Sequence, residues 1–316
     1  MQTSFLSLAT HRQQPRAGRF LDDMEKVMPW KELCAIIAPH YRPGKTGRKP
    51  YPLETMLRVH FLQQWYDLSD PLAEQEIADR MSFQRFLKLD PLCDSIPDET
   101  TILNFRRLIE DKKLAPAIFG RVRALLEEKG LMMRQGTIVD ATLIAGPAST
   151  KNKSKARDPE MSSTKKGENW HFGIKAHIGV DARSGLAHSV EVTTASVHDH
   201  EVMDKLKRGD ERALFGDKGY YDEKRKREAR KHGVFCGVLD KAKRGAKGAL
   251  SNRQQRRNRK KSSVRAKVEF PFRVVKRLWG HMRTRYRGIA KNAAQFTTLF
   301  ALSNLYLVRK KILCAA

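Results

Sequence analysis

At Gly136 the apolar residues of this chain stop recurring every three to four positions and begin to run together, so the fold must hold two kinds of element in succession. Upstream of that point, Pro52–Tyr66 puts Leu53, Met56, Leu57, Phe61 and Trp65 on one face of a helix. Pro71–Arg80 and Ser82–Leu87 read as two short helices. Asp98 is a capping residue before Glu99–Asp111, whose Ile102, Phe105, Leu108 and Ile109 form an apolar stripe. Ala115–Lys129 follows, and Gly130 stops it. Residues 1–130 are therefore expected to form an all-helical domain, frayed over the polar, basic residues 1–18. Short helices joined by tight turns suit a helix-turn-helix DNA reader or an ordinary bundle. Arg80, Arg85, Lys88, Arg106, Arg107, Lys112 and Lys113, expected at the surface, suit the first reading but form no unique code.

Past Gly136, Thr137–Ile144 is a β-branched apolar run of strand length with Asp140 in its middle. A carboxylate on a core strand is costly unless it is paired, hydrogen-bonded or bound to metal, so Asp140 is either a site residue or a structural acceptor. Pro147–Asn169 reads as a mobile basic loop. His171–Val180 and Leu186–Thr194 make a hairpin around Asp181–Gly185, and a helix from about Asp199 to Lys207 follows it. Arg212–Tyr220 is a short strand ending in Asp217, at a strand tip where α/β folds build their sites. Tyr221–His232 reads as a helix and Val234–Leu239 as a last strand, which makes residues 131–316 an α/β domain.

Charge then singles out the last quarter. The formal charge is +27, and the 76 residues from Lys241 onward hold 22 lysines and arginines against one acid, Glu269. That stretch alone contributes +21, so the grip on a polyanion is expected there. Residues 241–267, with 12 cations and no acid, read as a basic insertion that stays extended until it meets phosphates. Glu269 is expected to open a helix to about Trp279 with Arg273 and Lys276 on its own face. Pro271 would also suit a helix start, where an acid is favoured without any further role. Arg283-Thr-Arg285-Tyr-Arg287 is a second phosphate-binding candidate, and Lys291–Lys310 a closing helix.

Cys34, Cys93, Cys236 and Cys314 are scattered without CxxC spacing, which argues against a zinc site or disulfide framework and for a reducing cytoplasm. No secretory leader is expected, and the apolar stretch Phe296–Val308 is too short and too polar to span a membrane.

Asp140, Asp217 and Glu269 can meet at one edge of a mixed sheet. Three hard oxygen ligands suit Mg²⁺ or Mn²⁺. Two such ions about 3.5–4 Å apart serve an in-line phosphoryl displacement. Without a cation, carboxylates that close would repel one another.

These residues carry a family resemblance along nearly the whole chain. It runs through Tyr51-Pro-Leu-Glu-Thr-Met-Leu-Arg, Ile96-Pro-Asp-Glu-Thr-Thr-Ile-Leu-Asn-Phe-Arg, Gly136-Thr-Ile-Val-Asp-Ala-Thr-Leu-Ile and Ser149-Thr-Lys-Asn-Lys. It continues in Phe172-Gly-Ile-Lys-Ala-His-Ile-Gly-Val-Asp, Phe215-Gly-Asp-Lys-Gly-Tyr, Val268-Glu-Phe-Pro-Phe-Arg and Arg285-Tyr-Arg-Gly-Ile-Ala-Lys-Asn. The chain resembles bacterial insertion-sequence transposases of the DDE type, in the insertion-sequence-five group. The resemblance implies an RNase H-like catalytic domain after the helical one, with Asp140, Asp217 and Glu269 as catalytic and metal-binding acids. In the family pattern Tyr-x2-Arg-x3-Glu-x6-Lys, Arg265 and Lys276 match, while Ser262 stands in the Tyr position and Lys218 stands where a small residue is commoner. The implied reaction is cleavage at the ends of a mobile element and attack of the freed 3′-hydroxyl on target DNA, with Mg²⁺ or Mn²⁺, two ions per site. Arg265, Arg273, Lys276, Arg277, Arg283, Arg285, Arg287 and Lys291 are the implied DNA contacts. The partners would be double-stranded DNA at terminal inverted repeats and target sites, bound by a homodimer or larger assembly in the cytoplasm and nucleoid, away from any membrane. A metal-dependent nuclease of the same fold and a DNA-binding protein with structural acids are the competing readings.

Overall fold

The computed structural model describes residues 16–41, 49–151, 155–240 and 250–315. The fraying expected at the N-terminus falls, up to residue 15, outside the described residues. Among the described residues seven helices come first: α1 (Arg16–Val27), α2 (Trp30–Ile37), α3 (Leu53–Tyr66), α4 (Asp70–Asp79), α5 (Met81–Leu87), α6 (Glu99–Asp111) and α7 (Leu114–Glu128). Asp98 caps α6 as its position suggests, its Oδ1 accepting from the Thr101 amide at 2.7 Å.

α3 differs from expectation. It is buried from Thr55 to Trp65 rather than along one face, because it runs through the centre of the bundle. Arg58 is enclosed with it: its guanidinium pairs with Glu25 and Glu54, donates to Phe86 O and lies 4.0 Å from the Trp30 ring centre. Arg106, expected at the surface, is also buried, between Asp70 and Glu110. A helical moment read from the sequence treats every arginine as solvent-facing, and here two of them are core residues.

The sheet is built on β1 (Thr137–Ala145). β3 (Asn169–Asp181) lies antiparallel to it, and β4 (Ala187–Thr194) antiparallel to β3. β5 (Ala213–Gly216) runs parallel to β1 on its other side, and β6 (Phe235–Cys236) parallel to β5. This is the expected α/β class: a mixed, RNase H-like sheet preceded by a helical region. The loop expected at 147–169 needs correction, since Ser162–Lys166 forms strand β2 against Asn169–Gly173. Its Ser, Thr and Lys side chains show no apolar alternation, as is common on an edge strand. β3 passes from β2 to β4 after Gly173. That glycine has φ +152°, and a Cβ on it would stand 2.1 Å from Ile144 O, so no other residue fits there.

After β4 come α8 (Asp199–Val202), a 3₁₀ turn over Met203–Leu206 and, beyond β5, another over Lys218–Tyr220 and α9 (Glu223–Lys231). The basic insertion is corrected as well. Residues 241–249 lie outside the described residues, but Asn252–Arg265 forms helix α10, started by a reciprocal Ser251–Gln254 capping box. Its Arg, Lys, Gln and Asn side chains tolerate a helix, and the sequence has little apolar period to betray it. Lys261 anchors it, donating to Val238 O and Asp240 Oδ2.

α10 continues through a 3₁₀ turn (Ala266–Val268) into α11 (Glu269–Arg273) and a π turn (Val274–Leu278). Glu269 is thus inside a long helix, not at its start. Pro271 has no N–H for the helical ladder and crowds the carbonyl four residues earlier; the changes of winding on either side accommodate it. α12 (Ile289–Ala315) then buries Phe296, Leu299, Phe300, Leu302 and Leu305 in a core shared by the helices and one face of the sheet. Asn304 fastens it to the sheet by bonding both the amide and the carbonyl of Ala187. A smaller core of Val139, Val202, Met203, Leu206, Leu214, Tyr220 and Val238 covers the other face. Among the described residues no helix is long and apolar enough to cross a membrane.

Candidate active site

The β1–β5 register places the first two acids. Val139 pairs with Gly216, so the next residues along the parallel strands are Asp140 and Asp217. Asp140 is 9% exposed, while Asp217 is half-buried just past the end of β5. β5 stops at Gly216, so beyond Asp140 the edge of β1 is open to side chains from the α10–α11 helix.

That helix supplies Glu269 and, one turn earlier, Arg265. Arg265 Nη2 lies 2.9 Å from Asp140 Oδ2. Burial opposes its charge, but Asp140, Asp217 and Glu269 together outweigh burial and hold its pKa above the ordinary value. Burial likewise pushes the Asp140 carboxyl up, Arg265 and the Ala141 amide pull it down, and the Glu269 charge adds to the rise. The three acids therefore act on one guanidinium. Among the described residues no three acidic, histidine or cysteine side chains are gathered closely enough to cage a metal ion. The cation that these carboxylates share here is Arg265.

Lys276 Nζ donates to Thr142 Oγ1 and Leu143 O, both at 3.0 Å, two and three residues along β1 from Asp140. Burial, and then the nearby charges of Lys166 and Arg277, lower its pKa. Arg273, Arg277, Arg283, Arg287 and Lys291 are exposed, with no acidic partner among the described residues. Arg285 is different: it bonds the carboxylate and carbonyl of Asp67 at the end of α3. This contact ties the helical region to the segment before α12. Ser262 and Lys218 are both exposed.

Sequence reasoning missed two neighbours of this site. Asp199 opens α8 where a helix start was expected, with His198 in the cap position, and its Oδ1 accepts from Lys175 Nζ at 3.0 Å. Tyr220 is 1% exposed, and its hydroxyl has no hydrogen-bond partner among the described residues. Burial raises its pKa, followed by the charges of Asp199 and Asp140, with Asp217 contributing too. Its place three residues after a site acid was the available signal. Asp181, in contrast, does what a turn residue does, accepting from the Ser184 amide and hydroxyl.

A mixed sheet with one acid within its central strand and another just past the end of the neighbouring parallel strand, a third acid on a packed helix and a cationic surround has the makings of an α/β enzyme acting on nucleic acid. The chain belongs to the transposase DDE-domain family: the family model described as "Transposase DDE domain" matches residues 132–305. A second model, described as "Transposase domain (DUF772)", matches residues 9–108. The protein is a DDE transposase of an insertion sequence and acts in DNA transposition. Enzymes of this family bind DNA and generally use divalent metal ions. The chain is also similar to a solved structure described as "Cryo-EM structure of piggyBac transposase synaptic complex with hairpin DNA (SNHP)". The identity is 11% and the TM-score 0.47, over 94% of this chain and 73% of that one.

Proposed function

We propose that this transposase, of the insertion-sequence-five group, cuts DNA at the terminal inverted repeats of its element and joins the freed 3′-hydroxyls to target DNA, with Asp140, Asp217 and Glu269 as its catalytic acids. The observation that carries this reading is that all three acids act on the single guanidinium of Arg265. The three carboxylates are hard oxygen donors of the kind Mg²⁺ or Mn²⁺ takes; they are not gathered into a metal cage while Arg265 pairs with Asp140, and would hold the ions, two per site, once that pair opens. Bound there, the ions would stabilise charge on the attacking and leaving oxygens.

The chain's own side chains do the rest. In cleavage a water oxygen bonds to phosphorus, the P–O3′ bond breaks, and the 3′-oxygen leaves as a hydroxyl. In joining, that hydroxyl attacks a target phosphate in the same way, and no covalent enzyme intermediate is needed. Arg265 exchanges Asp140 for a DNA phosphate, which frees the carboxylate. Lys276 stands beside it, and the exposed Arg273, Arg277, Arg283, Arg287 and Lys291 extend the grip. The helical region 1–130 is a further DNA-binding unit, and domain 131–316 carries the chemistry. Two element ends must meet, so a homodimer or larger assembly forms on the DNA, in the cytoplasm and nucleoid.

The test is cleavage and strand transfer on DNA carrying the element's own flanks, comparing wild type with Glu269→Gln. Losing a ligand that positions ions worth several kcal/mol should lower the rate by about 10³-fold or more with DNA binding retained. Cleavage without joining would point to a nuclease, and unchanged activity in the variant would sink the assignment of Glu269.

A further inference from the structure

We propose that the β2–β3 ribbon is a stacking platform for a single DNA strand beside the active site, with Trp170 taking the face of an unpaired base and Lys165 and Lys166 holding phosphates of the same strand. That this strand is the one being cut rests on the catalytic reading above; the stacking itself does not. β2 and β3 pair from Ser162 opposite Gly173 to Lys166 opposite Asn169, and turn through Gly167 and Glu168 with Gly167 at φ +63°. So short a turn leaves the ribbon little freedom. Lys165 stands directly opposite Trp170, and Ser163 opposite Phe172. Alternate residues of a strand share a face, so both rings and Lys165 lie on one side of the ribbon. Arg157 lies over the Phe172 ring, 5.3 Å from its centre. That side therefore interleaves two aromatic rings with two cations.

Trp170 is 70% exposed, whereas Trp30, Trp65 and Trp279, the other tryptophans of the chain, are 8% exposed or less. A lone apolar residue in water is ordinary, but this one is set among charges of one sign. Lys165 and Lys166 are exposed with no acidic partner among the described residues, and Glu168 in the turn is the ribbon's one acid. An apolar partner would have to bury those lysines. A nucleic-acid strand suits both kinds of group at once, with phosphates on the cations and a base on the ring. The ribbon also adjoins the site. Lys165 and Lys166 line a groove of about 200 Å³ with Ala141, Thr142 and Leu143, the residues that follow Asp140, and with Lys175, whose charge Asp199 takes. Thr142 and Leu143 are the residues that Lys276 holds, so a strand passing from Asp140 along Lys276 meets the ribbon next. A base offers its face only once it has left the stack, so the platform selects an unpaired one.

A thymidine strand of about 12 nucleotides and an abasic strand of the same length carry the same phosphates, so stacking alone tells them apart. Without metal ions, the full-length wild type should bind the thymidine strand about tenfold more tightly, and binding should quench the emission of Trp170, the one tryptophan in water. Trp170→Ala should bind both strands alike and lose the quench, with its melting temperature unchanged, and Trp170→Phe should keep most of the preference. Lys165→Ala and Lys166→Ala should weaken both strands, each lowering the salt slope by about 0.7. Equal binding of the two strands by wild type, or a preference that survives in Trp170→Ala, overturns the proposal. So does a Trp170→Ala whose only change is dissociation of a dimer, which would make the indole a contact between copies of the chain. Glu269→Gln should keep both the preference and the quench. Failure of the catalytic assignment is read in cleavage and failure of the platform in strand preference, so neither can pass for the other.

Discussion

The helical region and the stretch from residue 250 onward are both rich in arginine and lysine, yet the two sets of cations do different work. In the helical region several of them meet acids of that same region. Arg58 meets Glu25 and Glu54, Arg85 meets Asp22, Lys88 meets Glu54, Arg106 meets Asp70 and Glu110, and Arg121 meets Glu32 and Glu128. In the later stretch, Arg253, Arg256, Arg259, Lys260, Arg273, Arg277, Arg283, Arg287 and Lys291 are exposed with no acidic partner among the described residues. The later stretch has one acid of its own, so cations there that do find a partner must reach upstream. Lys261 reaches Asp240, Arg265 reaches Asp140 and Arg285 reaches Asp67. Those three contacts dock the stretch onto β6, β1 and α3 in turn. A cation's role here is set by whether an acid lies within reach, not by residue type.

The largest effect should come from breaking a paired cation. Arg106 is enclosed between two carboxylates that are themselves little exposed, and its guanidinium lies 4.4 Å from the Tyr286 ring centre. Arg106→Leu leaves both carboxylates unpaired and should cost about 3–5 kcal/mol of stability in denaturant unfolding. The salt dependence of DNA binding by the folded fraction should not change. Next come the unpaired cations of α10. Replacing Arg253, Arg256 and Arg259 together by alanine should leave the melting temperature within a degree or two. It should lower the slope of log affinity against log salt by about three, so that the loss of affinity between 50 and 200 mM salt shrinks roughly 40-fold. An unchanged slope would mean that α10 does not touch phosphate.

A pH series sharpens the same contrast. His60 is buried beside Arg106, neither ring nitrogen has a hydrogen-bond partner among the described residues, and burial followed by the Arg106 charge pushes its pKa down to about 4. The folded chain therefore binds fewer protons at this site than the unfolded chain between pH 4 and pH 6.5. Its contribution to stability is complete above pH 6.5 and is lost as pH falls toward 4, at about 1.4 kcal/mol per unit. His60→Leu should flatten that part of the stability profile. The salt slope of DNA binding should be the same at pH 5.5 and 7.5.

Much of this was legible in the sequence, for physical reasons. The change of period at Gly136 marks the passage from helices to sheet because packing imposes 3.6 on one and 2 on the other. Asp140 stood out because a carboxylate within an apolar strand needs compensation. α10 was not legible, since a helix made of arginine, asparagine and glutamine looks like a solvated run until Lys261 finds Asp240. β2 was not legible because an edge strand needs no apolar face. Arg58 and Arg106 could not be placed inside from sequence alone, as their acids lie up to 36 residues away. Asp199 had an adequate local explanation as the start of a helix, and only the fold shows Lys175 taking its oxygen.

The smallest expected effect carries the comparison furthest. Arg85 and Asp22 form a pair 3.0 Å apart in which both side chains are largely in water, at 52% and 41% exposure. Such pairs contribute about 0–1 kcal/mol, because the Coulomb gain is screened and two long side chains lose freedom. Arg85→Ala should therefore change stability by less than about 1 kcal/mol. If Asp22 holds Arg85 away from DNA, the salt slope should also stay where it is, in contrast to each α10 arginine, which should remove close to one unit. A slope that falls by one in Arg85→Ala would show that a phosphate can take the arginine from Asp22, as is proposed for Arg265 and Asp140. The helical region would then grip DNA through cations that look satisfied in its absence, and pairing in the DNA-free chain would no longer separate scaffold from interface.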